Sequence, residues 1–412
     1  MKFVVDCDIV LSRAPSGPIA AYIEPFTKSL REQGYALQSI HRQVLLSAGF
    51  SEWLARRQPV LRRISSDLAL QYLRYRFRHV QPSRGDAAAL KHLLEFLRCE
   101  GAIPAEKTAV YPATSVERCA RTYEEYLREA CGLSQATIIN YVPFVLGFLE
   151  ECFGNGPVMW SQLCAHDVVR FVEHQARRLH PKRSKLLTSA LRSFFRFARY
   201  RGKVKLDLGA AVPVVPHWTM TEVPRAIPAD QVRQLLNSIN RTTPLGRRDY
   251  AVLLVLARLG LRASEAAFLE LDDINWKAGQ LSIRGKAGQR SGLPLPADVG
   301  KAIAAYLRNG RPSSTSRRVF LRARAPIRGF RGASGVGSIV RHRLQRAGID
   351  APSYGAHQFR HGLACELLRQ GASLGEIGEV LGHQSPETTR IYAKVDLEAL
   401  RTLALPWPGG VR

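Results

Sequence analysis

Two stretches in the first half of this 412-residue chain are versions of each other. "LREQGYALQSIHRQVLLSAGFSEWL" at 30–54 aligns, with one gap, to "LREACGLSQATIINYVPFVLGFLEEC" at 127–152, pairing Ile40 with Ile138, Val44 with Val142 and Phe50 with Phe148. The match continues in step, "ISSDLALQYL" with "LCAHDVVRFV", then "LKHLLEFLRCEG" at 90–101 with "LRSFFRFARYRG" at 191–202. A period of roughly 98 to 101 residues confines the first half to two copies of one small unit. Apolar residues recur in each copy at three- and four-residue steps, as in Leu90, Leu93, Leu94, Leu97 and Leu191, Phe194, Phe195, Ala198. That is the period of an amphipathic helix, so each copy reads as a bundle of about four helices. Phe194, Phe195 and Phe197 read as core. Arg192, Arg196, Arg199, Arg201, Lys203 and Lys205 lie on the other face, either touching phosphates or simply solvated.

The pattern changes after the second copy. "LGAAVPVVPHWTMTEVPRAIPADQ" at 208–231 is rich in proline and aperiodic, which predicts an extended linker. "PADQVRQLLNSI" and "RRDYAVLLVLARLG" then read as helices, the second stopping at Gly260. "LDDINWKAGQLSIRGKAGQRSGLPLP" switches to strand, turn and strand, and helices resume from 297. The expected organisation is an N-terminal helical domain at 1–110 and a second helical domain at 111–207. A linker at 208–230 and a mostly helical domain at 231–412, with a small antiparallel sheet, complete it. The fold class is mainly α.

Charge narrows the partner. Lys and Arg number 60 against 34 Asp and Glu, a net +26, spread as +6 over 1–110, +6 over 111–217 and +14 over 218–412. An excess carried by the whole molecule points to a polyanion, and nucleic acid is preferred because no apolar run approaches the 18 residues of a membrane span. "MKFVVDCDIVLSRAPSG" is broken by Asp6, Asp8 and Arg13, unlike a secretory signal, so a cytoplasmic location is expected. The seven cysteines form no C-x-x-C pair and no zinc-spaced cluster, and read as reduced thiols.

The chemistry-bearing residues lie in the last third. "GLRASEAAFLELDDI" sets Arg262 and Glu265 three apart on one face, and "YGAHQFRHGLACELLRQG" opens a helix with His357 and Arg360 at the same spacing. Either pair alone is equally an ordinary structural contact. "SLGEIGEVLG" is expected to bury Ile377, Val380 and Leu381 and to turn at Gly382, so that His383 emerges past the helix end. Ser385 is placed to cap the next helix, with Pro386 at its first position and Glu387 facing its dipole. Tyr392 follows about 100° around that helix from Ile391, so its tip need not lie in the core, beside an Ile391 and Val395 expected to be buried. A lone tyrosine there reads as a packing residue.

Taken together, Arg262 in "GLRASE", Lys286 in a hairpin turn, "HQFRH" at 357–361, "LGH" at 381–383 and Tyr392 nine residues later resemble the tyrosine recombinase, or phage integrase, family. The likeness covers 231–400 closely, and 111–205 resembles that family's core-binding domain. It implies a site-specific DNA recombinase or integrase that cuts and rejoins strands through a 3′-phosphotyrosine on Tyr392, needs no cofactor or metal, and serves a mobile element. It further implies that Arg262 and Arg360 clamp the scissile phosphate, that His357 is a general acid/base and that His383 donates to the phosphate. Lys286 would protonate the departing 5′ oxygen, and Glu265 would orient Arg262 or His357. The implied partners are double-stranded DNA, further copies in a synaptic tetramer bridged by the leucines of the tail, and companion recombinases, with no membrane. A catalytically silent DNA-binding relative and a type IB topoisomerase-like enzyme are the alternatives. The segment 1–110 is a departure from the family pattern.

Overall fold

The computed structural model describes residues 3–6, 9–57, 60–83, 85–105, 113–154, 156–215, 223–285, 290–383, 385–395 and 400–401. The chain divides into two compact units, one combining 1–106 with 222–412 and the other spanning 107–221.

The repeat is visible in three dimensions. The first copy folds as α1 (Ile23–Glu32), α2 (Leu37–Ala55), α3 (Ser66–Arg76) and α4 (Asp86–Cys99). The second folds as α5 (Ser115–Glu129), α6 (Gln135–Phe153), α7 (Ala165–Ala176) and α8 (Pro181–Tyr200). Matched positions do matched work. Ile40 and Ile138, and Phe50 and Phe148, are buried in their own bundles. Phe50 meets Tyr72 at 5.2 Å between ring centroids, and Phe148 meets Phe171, which aligns with Tyr72, at 5.3 Å. Ser65 and Cys164 hold equivalent N-cap positions on α3 and α7. Phe194, Phe195 and Phe197 are core residues, as their spacing predicts. On the basic face of α8, Arg192 donates to the carbonyls of Val212 and Pro213, and Arg199 pairs with Asp207 at 3.2 Å.

Two expectations change here. The first copy is preceded by an antiparallel pair, β1 (Phe3–Asp6) and β2 (Ile9–Leu11), which buries Val5, Ile9 and Leu11 against the helices. Helix α6 is also long and apolar enough, by length and composition, to cross a membrane. It packs between α5 and α8 and turns Ile138, Val145, Phe148 and Leu149 into their shared core.

The proline-rich connector is pinned at both ends. Leu208 and Val212 are buried in the second bundle's core, while Ile227 is buried among residues of the C-terminal part and its N–H donates to the Gln358 carbonyl. Beyond it come α9 (Ala229–Asn237), α10 (Pro244–Leu259), α11 (Ala263–Phe268), a sheet ordered β3 (Ile274–Asn275), β4 (Gln280–Arg284), β5 (Arg290–Pro294), then α12 (Ala297–Asn309) and α13 (Ala333–Arg346). Ten of the sixteen residues of α10 are buried, and it is the spine of this part, packing on α12 and on the helix that opens at His357. The end of the chain carries α14 (His357–Arg369), α15 (Leu374–Leu381) and α16 (Pro386–Thr389), continued by a 3-10 turn over Arg390–Val395.

Candidate active site

Arg262, His357, Arg360, His383 and Tyr392 are gathered where the ends of α10, α14 and α15 meet. Each is aimed by a local device. α10 stops because Gly260 adopts a left-handed conformation, φ +60°, and Leu261 then anchors the chain in the core. The next residue, Arg262, is the N-cap of α11. Both oxygens of Glu265 brace it, one accepting its backbone N–H at 2.8 Å and the other its Nη1 at 2.6 Å. The Glu265 side chain is 8% exposed and that of Arg262 37%, and among the described residues the other Arg262 donors carry no hydrogen bond.

Arg360 is only 5% exposed. Its Nη1 donates to the Gly260 carbonyl at 2.8 Å and its Nη2 to the Leu381 carbonyl, so one guanidinium ties the C-terminal ends of α10 and α15 together. These carbonyls carry the negative ends of two helix dipoles, which suits a buried cation. Each Nη retains a second N–H, so a two-pronged grip on an anion remains available. Burial, with Arg262 beside it, lowers the guanidinium to about 10.

Gly382, φ +60°, ends α15, and the N–H groups of Gly382 and His383 return to the carbonyls of Glu379 and Gly378. His383 therefore leaves the helix as expected, and its Nδ1 bonds the buried Thr389 hydroxyl at 2.8 Å. Burial first, then Arg360 and Arg262, hold this imidazole down to about 4, so it is neutral at physiological pH. Ser385 sits at the N-cap position of α16 without a side-chain cap bond, and Pro386 takes the first turn.

The burial around Tyr392 differs from expectation. It is 1% exposed and packs with Ala364, Cys365, Ile377 and Leu381, whereas Ile391 and Val395 are only half-buried and Val380 is exposed. Residues 390–395 form a 3-10 turn, in which each residue advances about 120° instead of 100°, and within it the phenol, not the Ile391 side chain, is the buried one. Its hydroxyl meets Nδ1 of His361 at 2.9 Å. The His361 ring lies edge-on to the phenol at 5.7 Å, and the His383 ring is parallel to it at 6.5 Å. Burial pushes the phenol up to about 12, with Arg360 and Arg262 pulling the other way.

The imidazole touching the phenol is thus His361, one helical turn beyond His357, whose ring lies 6.5 Å from that of His361. His357 is held below its ordinary value by burial and by Arg360 and Arg262, and His361 by burial, His357 and Arg360. The sequence patterns do not single out His361 and Thr389 as site residues. The i, i+4 spacing within "HQFRH" is the signal that identifies His361. Lys286 lies between β4 and β5 at a position outside the described residues.

Known proteins resemble this chain along most of its length. The phage integrase family matches residues 225–398, and the phage integrase N-terminal SAM-like domain matches 120–202. The chain is 56% identical over 409 residues to the Sinorhizobium fredii protein y4rA, described provisionally as an integrase/recombinase, with 99% of each chain covered. It is 31% identical to the tyrosine recombinase XerA of Thermococcus kodakarensis, over 68% of this chain and 91% of that one. The crystal structure of the XerH site-specific recombinase bound to palindromic difH substrate, a post-cleavage complex, shares the fold at a TM-score of 0.56 and 18% identity, covering 84% of this chain and 98% of that one. The chain belongs to the phage integrase family, the tyrosine recombinases.

Proposed function

We propose that this recombinase cuts and rejoins double-stranded DNA at specific sites with Tyr392 as nucleophile. The observation that carries the reading is the phenol of Tyr392 hydrogen-bonded to a neutral imidazole, His361, beside two arginines. A phenol held at about 12 is almost wholly protonated at neutral pH, so attack requires a base in contact with it. His361 accepts the proton at Nδ1 as the tyrosyl oxygen bonds to phosphorus. The bond from phosphorus to the 5′ oxygen breaks, leaving a 3′-phosphotyrosine and a free 5′ hydroxyl. Lys286 supplies the proton to that oxygen. Attack by a 5′ hydroxyl of another strand reverses every step and conserves the bond energy.

Arg262 and Arg360 neutralise the charge that builds on the non-bridging oxygens, where guanidinium forks match phosphate geometry. Glu265 and the two helix-end carbonyls fix those forks before substrate arrives, which lowers the cost of ordering them. His357, facing the arginine pair, and His383, neutral with one ring nitrogen on Thr389, donate to the same phosphate. The wider reading is of a cytoplasmic, mobile-element enzyme that acts as a synaptic tetramer with companion recombinases. In the tail proposed to link protomers, Leu400 is exposed, and Leu397, Leu403 and Leu405 lie outside the described residues.

A pool of nicked random-sequence duplexes tests the reaction without requiring a defined target sequence. Wild-type protein is expected to form covalent protein–DNA complexes from the pool, and Tyr392→Phe to form none while still binding DNA. Covalent trapping by Tyr392→Phe at the wild-type level overturns the assignment.

A further inference from the structure

The N-terminal four-helix unit has a surface that the strand-exchange chemistry leaves unexplained. Residues 56–79 hold seven arginines against one acid, Asp67, while the rest of 1–106 holds eight basic and nine acidic side chains. The positive charge of the unit is therefore concentrated in one band, from the end of α2 through the turn Leu61–Arg63 into α3. Arg56, Arg62, Arg63, Arg74 and Arg78 are exposed, and among the described residues none of them has a carboxylate partner. An unpaired cluster of this kind repels itself unless a polyanion covers it.

Aromatic side chains are interleaved with the arginines. "RYRFRH" at 74–79 leaves Tyr75 38% and Phe77 37% exposed, and Arg57 stacks over Trp53 at 4.1 Å. Trp53, Arg56, Tyr72, Tyr75, Arg76 and His79, with one acid, Glu52, are among the residues lining a concavity of about 230 Å³ beside the band. The second copy of the repeat has no such band. Its aligned segment, 155–178, carries three arginines and two acids, and its charge lies on α8 instead. The two copies share a core and differ in which face is cationic, the mark of two surfaces with separate tasks. The banded unit is also fixed to the C-terminal part of its own compact unit, where the Ile327 N–H donates to the Gln33 carbonyl at 2.8 Å.

We propose that the arginine band centred on Arg62, Arg63, Arg74 and Arg78 is a second duplex-DNA-binding surface, gripping backbone phosphates in addition to those at the cleavage site. This rests on the reading of the chain as a DNA-cutting enzyme. The exposed arginines supply phosphate contacts, and Tyr75 and Phe77 pack against the sugars between them. Such contacts position the duplex without reading its sequence.

The test uses the full-length chain with Arg62, Arg63, Arg74 and Arg78 replaced together by alanine, and a long random-sequence duplex as probe. Each lost phosphate contact lowers the slope of log affinity against log salt by about 0.9, so the slope is expected to fall by about 3.6. The matching lysine set is expected to restore it, and covalent trapping at saturating DNA to stay at the wild-type level. If the quadruple variant fails to fold, Arg74→Gln and Arg78→Gln singly are each expected to lower the slope by about 0.9. An unchanged slope overturns the proposal, as does an arginine-dependent grip tighter on an RNA duplex than on DNA. Covalent trapping with an unchanged slope refutes the surface alone. A fallen slope in a chain that never traps DNA refutes the reaction and leaves the surface standing.

Discussion

Replacing His361 by glutamine separates the two jobs an imidazole beside Tyr392 can do. Glutamine still accepts a hydrogen bond from the phenol, now 2.9 Å from His361 Nδ1, but it does not take up a proton. With the phenol near 12, only about one molecule in 10⁵ is ionised at pH 7, so the variant must wait for that rare form. A positioned base contributes about 10²- to 10⁴-fold, and covalent trapping at pH 7 is expected to slow by that factor with DNA affinity unchanged. The pH profile is the sharper readout. His361 sits below its ordinary value, so in the wild type the base is already neutral at pH 7 and the rate levels off above that ionisation. The variant is expected to climb about tenfold per pH unit towards pH 9, because only the phenolate reacts. Single-turnover trapping on a nicked duplex across that range measures both. A variant with the wild-type rate and the wild-type plateau refutes the role, and the same loss in His357→Gln alone would move the base one turn back.

Three other outcomes follow from the geometry. Gly260→Ala puts a side chain into a left-handed position and a Cβ 2.8 Å from Leu381 and 3.0 Å from Leu363. It is expected to cost at least about 1 to 2 kcal/mol in denaturant melts and to slow trapping by shifting the carbonyl that holds Arg360. His383 is lowered to about 4 in the folded chain against about 6.5 unfolded, so the unfolded state binds more protons between those values. Its contribution is full above about pH 6.5 and is lost as pH falls towards 4, with His357 and His361 acting in the same direction; His383→Gln is expected to flatten that acid limb in thermal melts. Phe50→Ala and Phe148→Ala remove matched core rings and are each expected to cost about 3 to 5 kcal/mol. Hydrogen exchange should place the Phe148→Ala loss in the core cluster of the second bundle and the Phe50→Ala loss in that of the first.

Much of this architecture is legible in the sequence. The repeat predicts two helical bundles because apolar spacing is fixed by which face must be buried, and Phe50 and Phe148 occupy the same place in each. Arg262, Arg360 and His383 sit where helix stops and caps put them, since Gly260 and Gly382 announce turns that no side-chain-bearing residue adopts comfortably. What escapes the sequence is rotation. A spacing of four puts His357 and His361 on one face but does not say which of them meets a partner from another element. The orientation of Tyr392 is hidden for a related reason, because nothing in "TTRIYAKV" reports that the helix tightens to 3-10 winding at Arg390. The bonds from Arg360 to Gly260 and Leu381 join residues 100 and 21 positions apart, and main-chain acceptors leave no residue signature.

One covalent bond, between Tyr392 and a 3′ phosphate, is the most direct test of the chemistry. Protein trapped on a nicked duplex, digested and sequenced by mass spectrometry, is predicted to carry its nucleotide adduct on the peptide containing Tyr392, joined through a 3′ phosphate, with a free 5′ hydroxyl on the released strand. An adduct on any other side chain, or a 5′-linked phosphate on Tyr392, would contradict it.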